Sequence, residues 1–210
     1  MSGAQRRSYD KLFPVYGLRG EEAGLIESSS LFGNGAPLIV EIGFGMGRAT
    51  AGIAVNNPEN NYLGIEVHRP GIGRLLWEIE KNSLKNIRII EGDAVKILEQ
   101  NIKDSSVWAF HIFFPDPWPK KKHHKRRLVK RPFTDLLASK LKTGGYLYMV
   151  SDWPDYGDWA LAELSATGGL ANKYDGFAEA QDWRPETEFE RKGLDKNHEI
   201  RELLFEKRTD

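Results

Sequence analysis

The stretch Leu38-Ile39-Val40-Glu41-Ile42-Gly43-Phe44-Gly45-Met46-Gly47-Arg48 reads as a short buried strand that runs into a glycine-rich turn and then a helix. Leu38 to Ile42 is a compact apolar run. Glycine at every second position from 43 to 47 lets the backbone bend sharply and approach a ligand closely. Arg48 to Asn56 continues as a helix that stops before Pro58. The same alternation recurs downstream. Strands are predicted at Tyr62–Ile65, Ile87–Ile90, Val107–Phe114 and Tyr146–Val150, and Ile200–Glu206 reads as a last, edge-like strand. Helices are predicted from Pro70, where Ile72, Leu75, Leu76 and Ile79 form an apolar stripe, over Ala94–Asn101, from Pro132 and over Pro154–Ala166. Alternating strands and helices imply an α/β domain with a mostly parallel sheet. Residues 1–36 form a lead-in segment, irregular or partly helical, and residues 37–210 form one domain.

At 210 residues the chain is long enough for one full hydrophobic core. Lys plus Arg number 30 and so do Asp plus Glu, which argues against a polycation that coats nucleic acid wholesale. The balance hides an asymmetry. Pro115 to Arg131 carries eight cations against one acid, a local +7 that leaves −7 on the remainder. Cysteine is absent, which excludes disulfides, thiolate zinc sites, iron–sulfur clusters and cysteine nucleophiles. The five histidines show no metal-binding spacing, so no metal is expected. No apolar run approaches a membrane span and no signal peptide is visible, so the cytoplasm is the expected location.

In a parallel sheet, ligands bind beyond the carboxyl ends of the strands, so the residues there are the candidates. Glu41 precedes Gly43 and Gly45. The third glycine of the dinucleotide fingerprint is replaced by Arg48, so the spacing fails for a nicotinamide cofactor. An acid ahead of these glycines suits S-adenosylmethionine, which carries an ammonium and a sulfonium, although an ordinary glycine-rich turn has the same pattern. Glu66 ends the next strand at the spacing of a ribose-binding acid. Asp93-Ala94 follows the third strand, where Asp93 suits either an adenine contact or a helix N-cap.

The fourth strand runs into Pro115-Asp116-Pro117-Trp118-Pro119. Lys120, Lys121, Lys122, His123, His124, Lys125, Arg126 and Arg127 follow directly. Alternate prolines stiffen this loop, and the cations beyond it suit RNA phosphates. Asp152 ends the fifth strand, and Thr187 to Glu190 fits a capping box.

At these residues the chain resembles the bacterial TrmB-type tRNA (guanine-N7-)-methyltransferases, from about residue 38 to the C-terminus. The most specific match is Pro115 to Arg127, which follows the family's Pro-Asp-Pro-Trp-x-Lys-x-Lys-His-x-Lys-Arg-Arg without a gap. Ser151-Asp152 and Thr187-x-x-Glu190 match two further motifs in order. Arg6, Arg7 and Arg19 are the arginines ahead of the domain, fewer than the family often carries.

The resemblance implies a Rossmann-like class I methyltransferase with a seven-stranded, mostly parallel sheet and helices on both faces. It implies methyl transfer from S-adenosylmethionine to N7 of guanine 46 in the tRNA variable loop. It assigns Glu41, Gly43, Gly45, Glu66, Asp93, Ala94 and Asp116 to the cofactor, with Asp116 also catalytic. Lys120, Asp152, Thr187 and Glu190 become substrate contacts, and Lys122, His123, His124, Lys125, Arg126 and Arg127 the RNA-binding run. Three rivals stand beside this reading: an exocyclic-amine methyltransferase, a non-catalytic RNA-binding protein on the same fold, and a small-molecule methyltransferase. Both a monomer and a homodimer fit the sequence.

Overall fold

The structure, a computed structural model, describes residues 1–185, 190 and 199–209. Eight strands form one sheet: β1 (Gly17–Arg19), β2 (Leu38–Ile42), β3 (Asn61–Glu66), β4 (Ile87–Glu91), β5 (Val107–Phe113), β6 (Leu141–Ser151), β7 (Leu170–Asn172) and β8 (Arg201–Lys207). Their spatial order is β1-β4-β3-β2-β5-β6-β8-β7. All neighbouring pairs from β1 to β6 are parallel, and β8 runs antiparallel to both β6 and β7.

Among the described residues seven helices flank them: α1 (Gly3–Tyr16), α2 (Ser28–Phe32), α3 (Arg48–Asn56), α4 (Arg69–Lys81), α5 (Ala94–Asn101), α6 (Phe133–Lys140) and α7 (Pro154–Ser165). Side chains alternate across a strand, so each strand feeds two cores. Leu38, Val40 and Ile42 of β2 pack with Ile97 and Leu98 of α5, Leu137 of α6 and Ala160 of α7. On the opposite face, Ile39 packs with Ile53 of α3, Leu75, Leu76 and Ile79 of α4, and Leu12 and Phe13 of α1. The stripe predicted on α4 is fully buried at Ile72, Leu75, Leu76 and Ile79.

Two sequence readings change. The sheet has eight strands rather than seven, because Gly17–Arg19 of the lead-in pairs with Ile89–Glu91 of β4. With α1 packed on α4, the lead-in is built into the sheet edge. The C-terminal strand is also not an edge. It lies between β6 and β7, and Glu202, Leu203, Leu204 and Phe205 are buried in succession. A strand covered on both faces loses the polar–apolar alternation by which an edge is recognised.

The chain order reverses direction at β2, which has β3 on one side and β5 on the other. Loops after β2 and β5 therefore leave in opposite senses and open a crevice at the carboxyl edge.

Candidate active site

Three acids stand at the carboxyl ends of adjacent strands. Glu66 lies opposite Glu91 in register, and Glu41 lies opposite Gly64, two residues before Glu66. Like charges in such proximity need partners.

Glu91 accepts hydrogen bonds from the Tyr9 hydroxyl and from Arg69 Nε at 2.5 Å, with Arg19 at 3.7 Å. Burial opposes ionisation, yet these bonds hold its carboxyl below the ordinary value. Glu66 accepts from the amides of Gly45 (2.8 Å), Val67 (2.8 Å) and His68 (3.0 Å). It thus ties the glycine loop to the start of α4. A carboxylate has about four acceptor sites, so three such bonds leave room for one donor more.

Glu41 differs. It is 3% exposed, and its Oε2 has no hydrogen-bond partner among the described residues. Burial raises its carboxyl to about 8; the Thr50 hydroxyl opposes this and Glu66 adds to it. A buried acid in this state awaits a cation.

The loop beside it leaves the necessary space. Gly43 and Gly45 have φ of 72° and 57°, and nothing lies within 4 Å of where a side chain would begin. The loop is pinned from behind by α4. A methyl group at Gly71 would meet the carbonyl oxygen of Gly45 at 1.9 Å, so only glycine permits this approach.

Asp93 caps α5 by accepting from the Lys96 amide at 3.1 Å, and its carboxylate is exposed. Ala94 is half-buried at the first position of that helix. Val67, Gly92, Asp93 and Lys96, together with Arg19 and Gly20 of the lead-in, line a cavity of about 280 Å³ beside them.

On the other side of the switch, Phe113 of β5 lies opposite Val150 of β6. Asp116 and Asp152 leave the same edge of neighbouring parallel strands. Asp116 is exposed and Asp152 half-buried. The loop holding Asp116 is bracketed by Phe114 and Trp118, with φ of 49° and 45°. Aromatic residues enter this left-handed region at a cost of about 1–2 kcal/mol each, so the surroundings must enforce it. Phe114 N–H donates to Val150 O at 2.8 Å. Arg126 lies 4.8 Å from the Trp118 ring centroid, and the His123 ring meets it edge-on at 5.9 Å.

The cationic run folds as a 3₁₀ turn over Lys121–Arg126. Lys120, Lys122, Lys125 and Arg126 are exposed; His123 and His124 are half-buried. His124 packs edge-on against Trp159 at 5.8 Å.

Arg127 is a correction to the sequence reading. Grouped there with the RNA-facing cations, it is 1% exposed. Its Nε donates to Pro117 O at 3.0 Å and its Nη2 to Asp155. Its guanidinium lies 5.0 Å and 5.2 Å from the Tyr156 and Trp159 ring centroids. Arg127 therefore anchors the loop one residue beyond Asp116 and is shielded from phosphate.

Thr187 lies outside the described residues. Glu190 is held by Arg184, a contact no motif signals, although Arg184-Pro185 stands just ahead of Thr187. Sequence reasoning also misses Tyr9, Arg69 and Gly71, whose roles depend on which strand ends they meet. Among the described residues no group of three potential ligands could hold a metal, and no helix is long and apolar enough to cross a membrane.

A doubly wound sheet with a buried acid that keeps one unmatched oxygen, an open glycine loop and acids after four consecutive strands defines a class I methyltransferase that uses S-adenosylmethionine. The cationic cofactor fits the orphaned Glu41 carboxylate and the space beside Gly43 and Gly45. A family model described as "Putative methyltransferase" matches residues 35–203. The tRNA (guanine-N(7)-)-methyltransferase of Nitrosospira multiformis is 45% identical over 208 residues, 99% of this chain and 90% of that protein. That of Nitrosomonas eutropha is 47% identical over 206 residues, 98% and 92% of the two chains. The chain belongs to the bacterial tRNA (guanine-N7-)-methyltransferase family, the TrmB type. Among solved structures, the 16S rRNA methyltransferase KamB shares the fold with a TM-score of 0.64 at 14% identity, covering 86% of this chain and 92% of that one. TrmN from Thermus thermophilus aligns at 0.56 and 16% identity, over 86% and 47%.

Glu41 near 8 is largely protonated at pH 7 in the free protein, and a bound cation ionises it. Binding S-adenosylmethionine should therefore release a proton, and affinity should rise with pH up to about 8. The native acid keeps a proton that the unfolded chain, at 4.5, gives up. Stability of the free protein should accordingly fall as pH rises across that window. Calorimetry in buffers of different ionisation heat reads the proton, and Glu41→Gln should abolish its release. Separately, Arg127→Ala should cost about 2–4 kcal/mol by urea denaturation, from the void and the unpaired Pro117 carbonyl. Lys125→Ala should stay within about 0.5 kcal/mol.

Proposed function

We propose that this chain methylates N7 of guanine in tRNA, at position 46 of the variable loop, in the cytoplasm. The observation that carries the reading is the juxtaposition at one sheet edge of buried Glu41, whose Oε2 is unmatched, and a rigid Pro115–Trp118 loop that leads into exposed cations. The names of the relatives support the base and the RNA. The position rests on the motif resemblance.

Guanine N7 carries a lone pair and no proton, so no base is required to create the nucleophile. When bound, S-adenosylmethionine supplies an electrophilic sulfonium methyl. The chain's own work is in-line positioning and accommodation of charge. Glu41, Gly43, Gly45, Glu66, Asp93 and Ala94 hold the cofactor. Asp116 lies where the cofactor and base sites meet. Its carboxylate orients the guanine and stabilises the positive charge that the ring gains. Asp152, Lys120, Thr187 and Glu190 contact the base or its nucleotide. Carboxylates accept from guanine N1–H and the 2-amino group, and adenine lacks the N1–H donor. Lys122, His123, His124, Lys125 and Arg126 meet phosphate, without Arg127.

Asp116→Asn is expected to lower turnover of labelled methyl transfer to tRNA by about 100-fold or more, with cofactor bound and 7-methylguanosine identified in the digest of the wild-type product. Near-wild-type turnover would remove Asp116 from the chemistry. Lys122, Lys125 and Arg126 changed together to alanine should flatten the salt dependence of tRNA binding by about 0.7–0.9 for each phosphate that is no longer neutralised. An unchanged slope would mean that these cations face bulk solvent.

A further inference from the structure

We propose that Arg184 is a positioning residue for methyl transfer: a buried guanidinium that holds Glu190 in a two-pronged grip and is itself fastened to the central sheet through Glu202 and Tyr148. The proposal deepens the reading above and rests on Glu190 being a contact to the substrate base.

The geometry is specific. Arg184 Nη1 donates to Glu190 Oε2 at 2.5 Å and Nη2 to Glu190 Oε1 at 2.9 Å. The same Nη2 donates to Glu202 Oε1 at 2.7 Å, and Nε lies 3.3 Å from the Tyr148 hydroxyl. Tyr148 in turn donates to Glu202 Oε2. The Arg184 side chain is 3% exposed, Glu202 6% and Glu190 12%.

Glu202 lies on β8 opposite Val150 of β6, and Tyr148 is two residues earlier on β6. β6 is also the strand that delivers Asp152. The residue before Arg184 adds a second anchor: Trp183 stacks on the buried His111 of β5 at 4.7 Å and meets Tyr148 edge-on at 5.2 Å. Arg184 thus couples Glu190 to the strands that carry Asp116 and Asp152.

Only arginine suits this task. A guanidinium presents a planar fork that matches one carboxylate in two bonds and still reaches a second acceptor, whereas an ammonium acts as a point charge. The fork takes two of the roughly four acceptor sites on Glu190 and fixes the plane of the carboxylate. Two acids share one guanidinium, so the cluster is not neutralised when both are ionised. A carboxylate held in one plane, beside an uncompensated charge, suits a base that becomes cationic during the reaction.

The test is a double-mutant cycle between Arg184 and Glu190, with turnover, tRNA KM, cofactor affinity and melting temperature measured for each variant. Glu190→Gln is expected to lower kcat. Arg184→Lys keeps the charge beside Glu202 but lacks the fork. It is expected to lower kcat by about 10- to 100-fold with cofactor affinity held within about twofold, the scale of a misplaced contact group. Arg184→Met is expected to do the same, and to add less than about threefold once Glu190→Gln is present. Multiplicative losses in the double variant would overturn the proposal, since Arg184 would then act other than through Glu190. Wild-type kcat in Arg184→Lys would also overturn it. Glu190→Gln with wild-type kcat would fail the assignment of Glu190 itself, and the proposal with it. Should Arg184→Met not fold, Arg184→Lys and the Arg184→Lys/Glu190→Gln pair give the same cycle.

Discussion

Glu41, the last residue but one of the central strand β2, has one carboxylate oxygen sealed from water and unmatched by any described donor. Two more acids lie alongside, Glu66 and Glu91, at the ends of the next two strands. Three carboxylates in a row cannot all be left to repel one another, and the fold treats each differently. Glu91 is neutralised by Arg69, Arg19 and the Tyr9 hydroxyl, which draws the N-terminal helix onto the sheet edge. Glu66 is spent on backbone amides, which sets the path of the glycine loop. Of the three, Glu41 keeps an orphaned oxygen, and burial drives its carboxyl toward neutrality. That unmatched oxygen, beside an open glycine loop, is the feature a cationic ligand would complete.

The opposite side of the crevice solves a different problem, which is rigidity without secondary structure. The Pro115–Trp118 loop is bracketed by two aromatic residues in left-handed backbone, a state the surroundings must impose. Buried Arg127 grips the Pro117 carbonyl from beneath, and β6 receives the Phe114 amide. A second buried arginine, Arg184, performs a comparable service for Glu190. In both places the protein uses guanidinium groups as internal brackets, while the lysines at 120, 122 and 125 and Arg126 are exposed.

Most of the scaffold is legible in the sequence because its determinants are local. The strand Leu38–Ile42, the helix Arg48–Asn56 and the helix Ala94–Asn101 fall where periodicity and punctuation predict them. The glycine loop, the acids after the strands and the alternate prolines announce themselves by spacing. What escapes is non-local. Gly17–Arg19 is too short to register as a strand until β4 offers it an edge. Ile200–Glu206 reads as peripheral because its insertion between β6 and β7 is a matter of topology.

The basic run shows the same division most plainly. Eight cations in seventeen residues, offset by one acid, fix its charge, and no arrangement of the chain alters that. Which of them face outward is another matter. Arg126 and Arg127 are adjacent and chemically identical in the sequence, yet one is exposed and the other is sealed between Tyr156, Trp159 and the Pro117 carbonyl. Residue order sets the strand–helix alternation, the acids and the local charge, because each depends on near neighbours. Only the tertiary structure decides which charges meet a partner, since burial and pairing come from segments far apart in the chain.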